Sequence, residues 1–263
     1  MNKLASPSVV LCDLDGVVWL AHQPIAGSVE AIANLRSNGM RVVFVTNNSF
    51  STYADQVSAL GSIGVAADGD IVTSAMSAAT AIESGSRVLV CGGSGLIEEV
   101  RNAGAEVVIA YDEPMASGAF DAVVVGFHRQ FNFQVLSDAL TAVRAGARLI
   151  GSNDDPTYPT PTGPIPGGGS ILAAIEKASG VSAVVTGKPN QPMAGLVRDL
   201  CVGIDPSSMV MVGDRPDTDG AFAVTLSCQY ALVMSGVTHS SEGIAADIVA
   251  NDLAGVAAHL LRH

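Results

Sequence analysis

The sequence predicts an α/β fold in which a parallel sheet is covered by helices. Short apolar runs alternate with helical segments, and Gly, Asn, Asp and Pro stand between them. The first three apolar runs are each followed by a helical pattern, which is the order of consecutive βαβ units. Because such crossover connections join parallel strands, this order indicates a parallel sheet with helices on its faces.

Local signals place the elements along the chain. Residues 9–12 form an apolar run typical of a buried strand. A helix begins after Gly27 and ends near Gly39, since glycine favours the left-handed conformation at a helix end. Thr52 and Asp55 have the spacing of a capping box, which predicts a helix directly after Thr52. Comparable patterns predict strands at residues 41–45, 70–73, 87–91, 107–110, 122–125, 148–151, 181–185, 209–212 and 230–234, and helices at residues 74–83, 133–145, 170–179, 192–201 and 252–261.

Composition and charge argue against several classes of protein. The 263 residues are 48% hydrophobic, yet no apolar run reaches the ~18 residues that a membrane span needs. Residues 1–8 lack a basic region followed by an apolar one, so we expect no signal peptide and a cytoplasmic protein. A formal net charge of −12 argues against nucleic-acid binding, which needs a basic surface. Buried, reduced thiols are predicted at Cys12, Cys91, Cys201 and Cys228.

Two aspartates directly follow the first predicted strand. Asp13 and Asp15 are two residues apart, so in an extended segment both side chains point to the same side at the carboxyl end of the strand. Neighbouring carboxylates repel unless a cation or proton lies between them, and Mg²⁺ is a hard ion that oxygen ligands favour. An ordinary polar turn is the simpler interpretation. An EF-hand calcium loop is excluded, because Val17 and Pro24 stand where that loop needs ligands.

Two further stretches carry binding signals of different strength. Residues 92–95 (Gly-Gly-Ser-Gly) open a predicted helix, but they lack the full G-x-G-x-x-G pattern and a ribose-binding acid about 20 residues later. We therefore do not expect nucleotide binding there. Residues 153–169 form a loop rich in Pro, Gly, Asp and Thr, and a loop of this length favours a binding role.

Polar residues of matched chemistry follow four of the predicted strands. They are Asp13 with Asp15, the run Thr46-Asn47-Asn48, Lys188, and Asp214 with Asp219. Each group alone has an ordinary explanation, namely a turn, a solvated lysine or the cap of a helix. Parallel strands would bring all four to one edge of the sheet. There they would provide three acids for a metal, a fixed cation, and hydroxyl and N–H donors, which are the groups that phosphoryl transfer requires.

The same segments resemble the motif set of a known superfamily. This chain resembles the haloacid dehalogenase (HAD) superfamily at each of its four motifs. The matching segments are DLDGV (13–17), TNNS (46–49), GK (187–188) and GDRPDTD (213–219). The insertion between the second and third motifs resembles the type-II cap of the HAD-IIA branch, which holds the p-nitrophenyl, phosphoglycolate and pyridoxal phosphatases and the NagD-like enzymes. The resemblance implies a doubly wound, Rossmann-like core at residues 1–84 plus 183–263, with a smaller α/β cap domain inserted at residues 85–182.

The resemblance also implies roles for the motif residues. Asp13 is implied as the nucleophile that forms an aspartyl-phosphate, and Asp15 as the acid that protonates the leaving oxygen and then the base that deprotonates water. Lys188 is implied to offset the repulsion between Asp13 and an anionic substrate. Contacts to the phosphoryl group are implied at Thr46, Asn47 and Asn48.

Mg²⁺ is the cofactor that the resemblance implies. The implied ligands are the carboxylates of Asp13 and Asp214 and the backbone carbonyl of Asp15. Asp219 is implied to orient these ligands without binding the metal itself.

The cap is implied to close over the site and exclude water. Residues 126–131 correspond to a cap loop in which related phosphatases supply a histidine to the substrate, and Gln130 stands where that histidine would be. Arg129 is our candidate for binding an anionic tail of the substrate. Substrate contacts in the cap are predicted at His128, Arg129, Gln130, Asn153 and Asp154.

The leading functional hypothesis is a Mg²⁺-dependent phosphatase acting on a small phosphorylated metabolite. The alternatives are a phosphotransferase, which passes the phosphoryl group to an acceptor other than water, and a non-catalytic sensor that binds a phosphometabolite. The motifs leave the substrate open among glycerol phosphate, phosphoglycolate, pyridoxal phosphate, nucleotides and sugar phosphates. A homodimer formed through the cap is a further expectation, by analogy with the family.

Overall fold

The computed structural model describes residues 7–111, 119–160 and 162–262. Pro161, part of the predicted binding loop, lies outside these ranges. The strands are β1 (Val9–Cys12), β2 (Trp19–Leu20), β3 (Gln23–Pro24), β4 (Arg41–Thr46), β5 (Ile71–Thr73), β6 (Arg87–Cys91), β7 (Glu106–Ile109), β8 (Ala122–Val125), β9 (Arg148–Gly151), β10 (Thr157–Tyr158), β11 (Ile165–Pro166), β12 (Val184–Val185), β13 (Met209–Gly213), β14 (Gln229–Val233) and β15 (Ile248–Ala250). The α-helices are α1 (Ser28–Ser37), α2 (Tyr53–Ser62), α3 (Ser74–Ala79), α4 (Ser94–Asn102), α5 (Phe133–Arg144), α6 (Gly168–Ser179), α7 (Gln191–Leu200), α8 (Ala221–Leu226) and α9 (Leu253–Leu260).

The larger sheet is doubly wound around its central strand, β1. Its order is β15-β14-β13-β1-β4-β5, and every pair of neighbours is parallel. Side chains alternate along β1, so Val10 and Cys12 join an apolar cluster with α1, α2 and α9, while Val9 and Leu11 join a second cluster with α7 and α8. Both faces of β1 are therefore buried, which explains its uninterrupted apolar sequence.

The smaller sheet is also parallel and covered on both faces. Its order is β12-β9-β8-β6-β7. Helices α5 and α6 pack on one face, and α3 and α4 on the other. These two sheets confirm the predicted α/β fold with a second, smaller α/β unit.

We propose that the larger sheet is the core and the smaller sheet the inserted cap predicted at residues 85–182. Strand β12 lies just beyond that range and pairs with β9 of the smaller sheet. We therefore place the end of the proposed cap after Val185 rather than at residue 182.

Local signals agree with the structure where they are strongest. The Thr52 side chain accepts a hydrogen bond from the backbone of Asp55, and the Asp55 side chain accepts one from the backbone of Thr52, so the predicted capping box is confirmed. The four cysteines are free thiols; Cys12, Cys91 and Cys201 are buried as predicted, whereas Cys228 is only half-buried. Among the described residues, no helix combines the length and hydrophobicity that crossing a bilayer requires.

Short elements account for most of the differences. Strand β15, only three residues long, was not predicted. Two antiparallel hairpins, β2–β3 and β10–β11, lie in segments for which no strand was predicted. Helix α3 ends at Ala79 rather than at residue 83.

Candidate active site

Three of the four motifs lie at the carboxyl ends of adjacent strands of the larger sheet. Asp13 follows β1, Thr46 ends β4 and Asp214 follows β13, and β1 pairs with both of the other strands. The backbone N–H of Asp13 donates to the carbonyl of Val212 over 2.9 Å, so the ladder between β1 and β13 continues past the last strand residue. The parallel strands thus bring these side chains to one edge.

Lys188 reaches the same edge by a different route. Because β12 pairs with β9 of the smaller sheet, the expectation that Lys188 follows a strand of the same sheet as Asp13 is wrong. Beyond β12 the chain returns to the larger sheet, where the Asn47 side chain binds both backbone groups of Lys188. Asn47 Oδ1 accepts from the Lys188 backbone N–H over 2.9 Å, and Asn47 Nδ2 donates to the Lys188 carbonyl over 3.2 Å.

Lys188 forms the charged centre of the site. Its Nζ donates to Asp13 Oδ1 and to Asp219 Oδ1, each over 2.7 Å, and the side chain is buried. Burial alone would lower the pKa of Lys188, but the two carboxylates outweigh it and raise that pKa above its usual value. Lys188 therefore stays protonated between two buried acids.

Three buried carboxylates lie at the site together with Lys188. Asp13, Asp214 and Asp219 each offer an oxygen, and these atoms lie within 4.8 Å of one another. Asp214 Oδ2 accepts from the backbone N–H of Val237, whereas Asp214 Oδ1 is buried without a hydrogen-bond partner. Burial, and then the charge of Asp219, raise the pKa of Asp214 to about 7. A divalent cation with oxygen ligands fits this unpaired oxygen and the excess negative charge.

Asp219 differs from Asp214 in that both of its oxygens are engaged by the protein. Oδ1 accepts from Lys188, and Oδ2 accepts from the backbone N–H of Arg215 over 3.1 Å. This arrangement supports an orienting role for Asp219 and a metal-ligand role for Asp214.

Two glycines form the wall beside Asp214. Gly16 has a φ of +93°, and a Cβ built on it would lie 2.5 Å from Asp214 Oδ2. A Cβ on Gly236 would lie 2.0 Å from the same oxygen. The backbone can approach the carboxylate this closely because neither residue has a side chain.

We expect Gly16→Ala to weaken metal binding roughly 10- to 100-fold, because the added methyl group would push Asp214 from its position. Titration of thermal stability with Mg²⁺ measures the effect. Gly39→Ala is the matched control, since Gly39 has a similar φ of +83° but nothing within 4 Å of a built Cβ. Equal metal affinities in the two variants would contradict this role for Gly16.

Asp15 contacts a tyrosine from the smaller unit. The Tyr158 hydroxyl donates to Asp15 Oδ1 over 3.0 Å. Burial raises the pKa of Asp15 to about 6, while Tyr158 and Trp19 act in the opposite direction. A carboxyl group in this range can release and recover a proton near neutral pH.

The second motif, residues 46–49, places hydrogen-bond donors at the cavity and stabilises the loop that follows β4. Thr46 Oγ1 accepts from the backbone N–H of Asn48 over 3.0 Å, which leaves the Thr46 O–H available as a donor. Asn48 Oδ1 accepts from the backbone N–H groups of Phe50 and Ser51. The side chains of Asn47 and Asn48 therefore shape the loops, although both residues line the cavity.

A cavity of about 290 Å³ joins these residues. Asp13, Asp15, Thr46 and Lys188 line it together with residues from the smaller unit. Arg129 and Asn153, which lie in the range predicted as a cap, also line it, and Asn153 Nδ2 donates to the carbonyl of Asn47 over 2.8 Å. Asp154 does not line it, but the neighbouring Asp155 does.

The predictions for His128 and Gln130 need correction, because neither residue lines the cavity. The His128 ring is buried, stacks on Tyr111 with the ring centroids 5.3 Å apart, and meets the edge of Phe131. Burial lowers the pKa of His128 to about 4. His128 is thus a neutral ring packed inside the smaller unit, while Gln130 is exposed.

Sequence reasoning missed Asp155, Tyr158 and Arg215 as cavity residues. Arg215 lies within the fourth motif, GDRPDTD, so its position in the sequence could have indicated that it lies at the site. Asp155 and Tyr158 belong to the long loop for which only a general binding role was predicted. No pattern in the sequence connects Tyr158 to Asp15, which is 143 residues away.

Comparisons with known proteins agree with this geometry. A haloacid dehalogenase-like hydrolase model matches residues 10–106, and a HAD-hydrolase-like model matches residues 185–256. D-glycerol 3-phosphate phosphatase of Mycobacterium tuberculosis is 37% identical over 246 residues, which are 91% of this chain and 66% of that relative, so the chain spans just under two thirds of its length.

Solved structures show the same similarity over nearly the whole chain. A p-nitrophenyl phosphatase from Archaeoglobus fulgidus superposes with a TM-score of 0.85 at 31% identity, covering 97% of this chain and 100% of that one. A glycerol phosphate phosphatase from Mycobacterium tuberculosis in complex with magnesium superposes with a TM-score of 0.81 at 32% identity, covering 95% and 76%. The motifs, the doubly wound sheet and these matches show that the chain belongs to the haloacid dehalogenase-like hydrolase family.

Proposed function

We propose that this hydrolase is a Mg²⁺-dependent phosphatase that cleaves a small phosphorylated metabolite through an aspartyl-phosphate on Asp13. The observation that carries the proposal is the ion pair of Asp13 with Lys188, buried beside Asp214 and Asp219 at a cavity of small-molecule size. The similarity to named phosphatases supports the same reaction class.

The residues present fit a bound Mg²⁺ ion. Asp13 and Asp214 would hold it with their carboxylates and Asp15 with its backbone carbonyl, and the unpaired Oδ1 of Asp214 is the atom that most needs such a partner. When bound, the ion supplies positive charge that offsets the repulsion between Asp13 and the phosphoryl oxygens. The magnesium complex of the similar glycerol phosphate phosphatase supports this cofactor.

The first step forms a bond between Asp13 and phosphorus. One oxygen of the Asp13 carboxylate attacks phosphorus, and the ester P–O bond breaks with its electron pair passing to the leaving oxygen. Asp15 gives that oxygen its proton, so that an alcohol leaves. The ammonium group of Lys188 and the hydroxyl of Thr46 stabilise the charge on the phosphoryl oxygens.

The second step regenerates the enzyme. Asp15, now a carboxylate, takes a proton from a water molecule whose oxygen attacks phosphorus. The bond between phosphorus and Asp13 breaks, its electron pair returns to the carboxylate, and inorganic phosphate leaves. Asp15 ends the cycle protonated, as it began.

The part of the cavity contributed by the smaller unit would bind the remainder of the substrate. Arg129 lines the cavity, as do Phe50, Phe127 and Tyr158. A guanidinium group can bind an anionic or polyhydroxylated tail, which is consistent with glycerol phosphate, the substrate named for the similar mycobacterial enzyme. We propose a substrate of this small, polar class. Dimerisation through the cap stays a prediction, which light scattering would test.

A phosphatase screen tests the function directly. Purified protein should release phosphate from p-nitrophenyl phosphate and from part of a panel of small phosphometabolites with Mg²⁺ present, and EDTA should stop the reaction. Phosphate transferred to a second metabolite would instead identify a phosphotransferase. Binding of phosphometabolites without turnover would identify a sensor.

We expect Mg²⁺ to stabilise the protein more at about pH 8 than at about pH 5. The pKa of Asp214 in the folded protein, about 7, lies above the ordinary value for an aspartate. Without metal, the folded state therefore keeps a proton on Asp214 that the unfolded state loses, and the contribution of Asp214 to stability falls as the pH rises from about 4 to about 7. Mg²⁺ replaces that proton, so its effect grows over the same range.

Thermal unfolding with Mg²⁺ or EDTA at several pH values measures this difference. Asp214→Asn is the control, because the amide has no charge to titrate and is a poorer ligand. Equal Mg²⁺-induced shifts of the melting temperature at both ends of the range would contradict the assignment of Asp214.

A further inference from the structure

The contact between Tyr158 and Asp15 joins the proposed acid/base to the smaller unit. We infer that Tyr158 is a positioning residue, which holds Asp15 Oδ1 so that the other carboxyl oxygen faces the leaving group and exchanges the proton with it. This inference rests on the proposed function, because it concerns the proton that Asp15 transfers in that reaction. Its basis is the 3.0 Å hydrogen bond from the Tyr158 hydroxyl to Asp15 Oδ1.

The ring of Tyr158 is fixed from one side by an aromatic stack. Phe127 lies against it with the ring centroids 6.1 Å apart and the planes inclined by 17°. Tyr158 is also the last residue of β10, where it pairs with Ile165 of β11. Since both backbone and ring are held, the hydroxyl has little freedom to leave Asp15 while the hairpin stays in place.

The β10–β11 hairpin is in turn fastened to the larger sheet. Arg215 Nη2 donates to the carbonyl and to Oγ1 of Thr157 over 3.0 and 3.1 Å. Asp155 accepts from Asn47 Nδ2 over 3.0 Å and from Thr218 Oγ1 over 3.1 Å. These bonds reach residues of the second and fourth motifs. The Tyr158 hydroxyl therefore meets Asp15 only when the loop is docked against the catalytic edge, which makes the smaller unit part of the acid/base arrangement.

Positioning of this kind has a distinct chemical signature. A strongly basic leaving oxygen needs its proton as the P–O bond breaks, whereas p-nitrophenolate leaves readily without one. Loss of the hydrogen bond would let the Asp15 carboxyl group rotate, and protonation would then become less efficient. The kcat/KM for esters with basic leaving groups should therefore fall, while the kcat/KM for p-nitrophenyl phosphate should change little.

The experiment compares Tyr158→Phe with the wild-type enzyme on p-nitrophenyl, phenyl and p-methoxyphenyl phosphate. These aryl esters share the phenyl phosphate framework but differ in the basicity of the leaving group. Tyr158→Phe keeps the ring and its stack on Phe127 while removing the hydroxyl. We expect the ratio of kcat/KM for p-nitrophenyl phosphate to that for phenyl phosphate to rise about 10-fold, part of the rate factor that a general acid supplies.

Two further variants keep the result interpretable. Tyr53→Phe removes another tyrosine hydroxyl that donates to a carboxylate, Asp68 Oδ1 at 3.1 Å, but Tyr53 does not line the cavity, so the ratio should stay at the wild-type value. In an Asp15→Asn background, Tyr158→Phe should leave the ratio unchanged, because the proton that it positions is gone.

The outcomes separate this inference from the proposed function. Absence of wild-type turnover on every aryl ester would overturn the proposed function. Wild-type turnover combined with an equal loss for all three esters in Tyr158→Phe, or with no loss for any, would overturn the positioning role alone. A ratio shift that persists in the Asp15→Asn background would also overturn it.

Discussion

Asp13→Asn is expected to lower kcat by at least about 10⁴-fold, because an amide cannot serve as the nucleophile that accepts the phosphoryl group. Asp13 is the proposed site of that bond; its Oδ1 already accepts from Lys188, and both residues line the cavity. The remaining donors could still bind phosphate. Binding without turnover is therefore the expected behaviour of the variant.

The fold of Asp13→Asn should survive. Oxygens of Asp13, Asp214 and Asp219 lie within 4.8 Å of one another, and Lys188 contacts Asp13 and Asp219, so the loss of one negative charge removes repulsion as well as an ion pair. Burial, opposed chiefly by Lys188, raises the pKa of Asp13, which means that the wild-type carboxylate is itself costly to keep charged. Lys188 keeps its second partner, Asp219, in the variant.

Kinetics with p-nitrophenyl phosphate and thermal unfolding in EDTA measure both parts of the prediction. Asp199→Asn, an exposed change on α7, is the matched control and should retain full activity. Residual turnover by Asp13→Asn within about 10-fold of the wild-type rate would rule out an aspartyl-phosphate on this residue.

Local sequence patterns predicted the parts of the molecule that short-range physics decides. The apolar run ending in Asp13 and Asp15 has to be a strand buried on both faces, and the strand order then brings Asp214 beside it. The capping box at Thr52 was predictable for the same reason, because all of its hydrogen bonds lie within four consecutive residues. Predictions of this kind need no knowledge of the tertiary fold.

The remaining features depend on contacts between distant segments. His128 follows a buried strand, as catalytic residues often do, but its orientation is decided by Tyr111 and Phe131, so the ring packs inward rather than into the cavity. The sequence of the two-residue strand β12 is compatible with either sheet. Its pairing with β9 in the structure assigns it to the smaller sheet. The hydrogen bond between Tyr158 and Asp15 joins residues that are 143 positions apart, and the periodicity of a sequence carries no information about such long-range contacts.

Lys188→Met is expected to lower both stability and activity, because it removes the cation that two buried carboxylates share. In the wild-type protein Lys188 is 1% exposed and contacts Asp13 and Asp219 at 2.7 Å. Removing one partner of such a buried arrangement costs about 3–5 kcal/mol of unfolding free energy. The lost charge stabilisation of the phosphoryl group should lower kcat by a further ~10²- to 10³-fold.

The stability loss in Lys188→Met should depend on pH in a defined direction. Lys188 is the group that most lowers the pKa of Asp13, against burial and the charges of Asp214 and Asp219. Without Lys188 the pKa of Asp13 should rise further, so the folded variant keeps a proton on Asp13 to a higher pH than the wild-type protein does. The deficit relative to the wild-type protein is therefore smallest at low pH and increases through the neutral range.

Urea unfolding of the metal-free proteins at about pH 5 and about pH 8 measures this change in the deficit. Lys177→Met is the matched control, since Lys177 is exposed near the end of α6 and should show no deficit at either pH. A deficit of the same size at both pH values would mean that the loss of Lys188 does not change proton binding at Asp13 over this range, and would contradict a role of the Lys188 charge in stabilising Asp13. We expect the deficit in unfolding free energy to increase with pH and to be partly reversed by Mg²⁺. That result would show that the positive charge of Lys188 is what allows Asp13, Asp214 and Asp219 to be buried together in the folded protein.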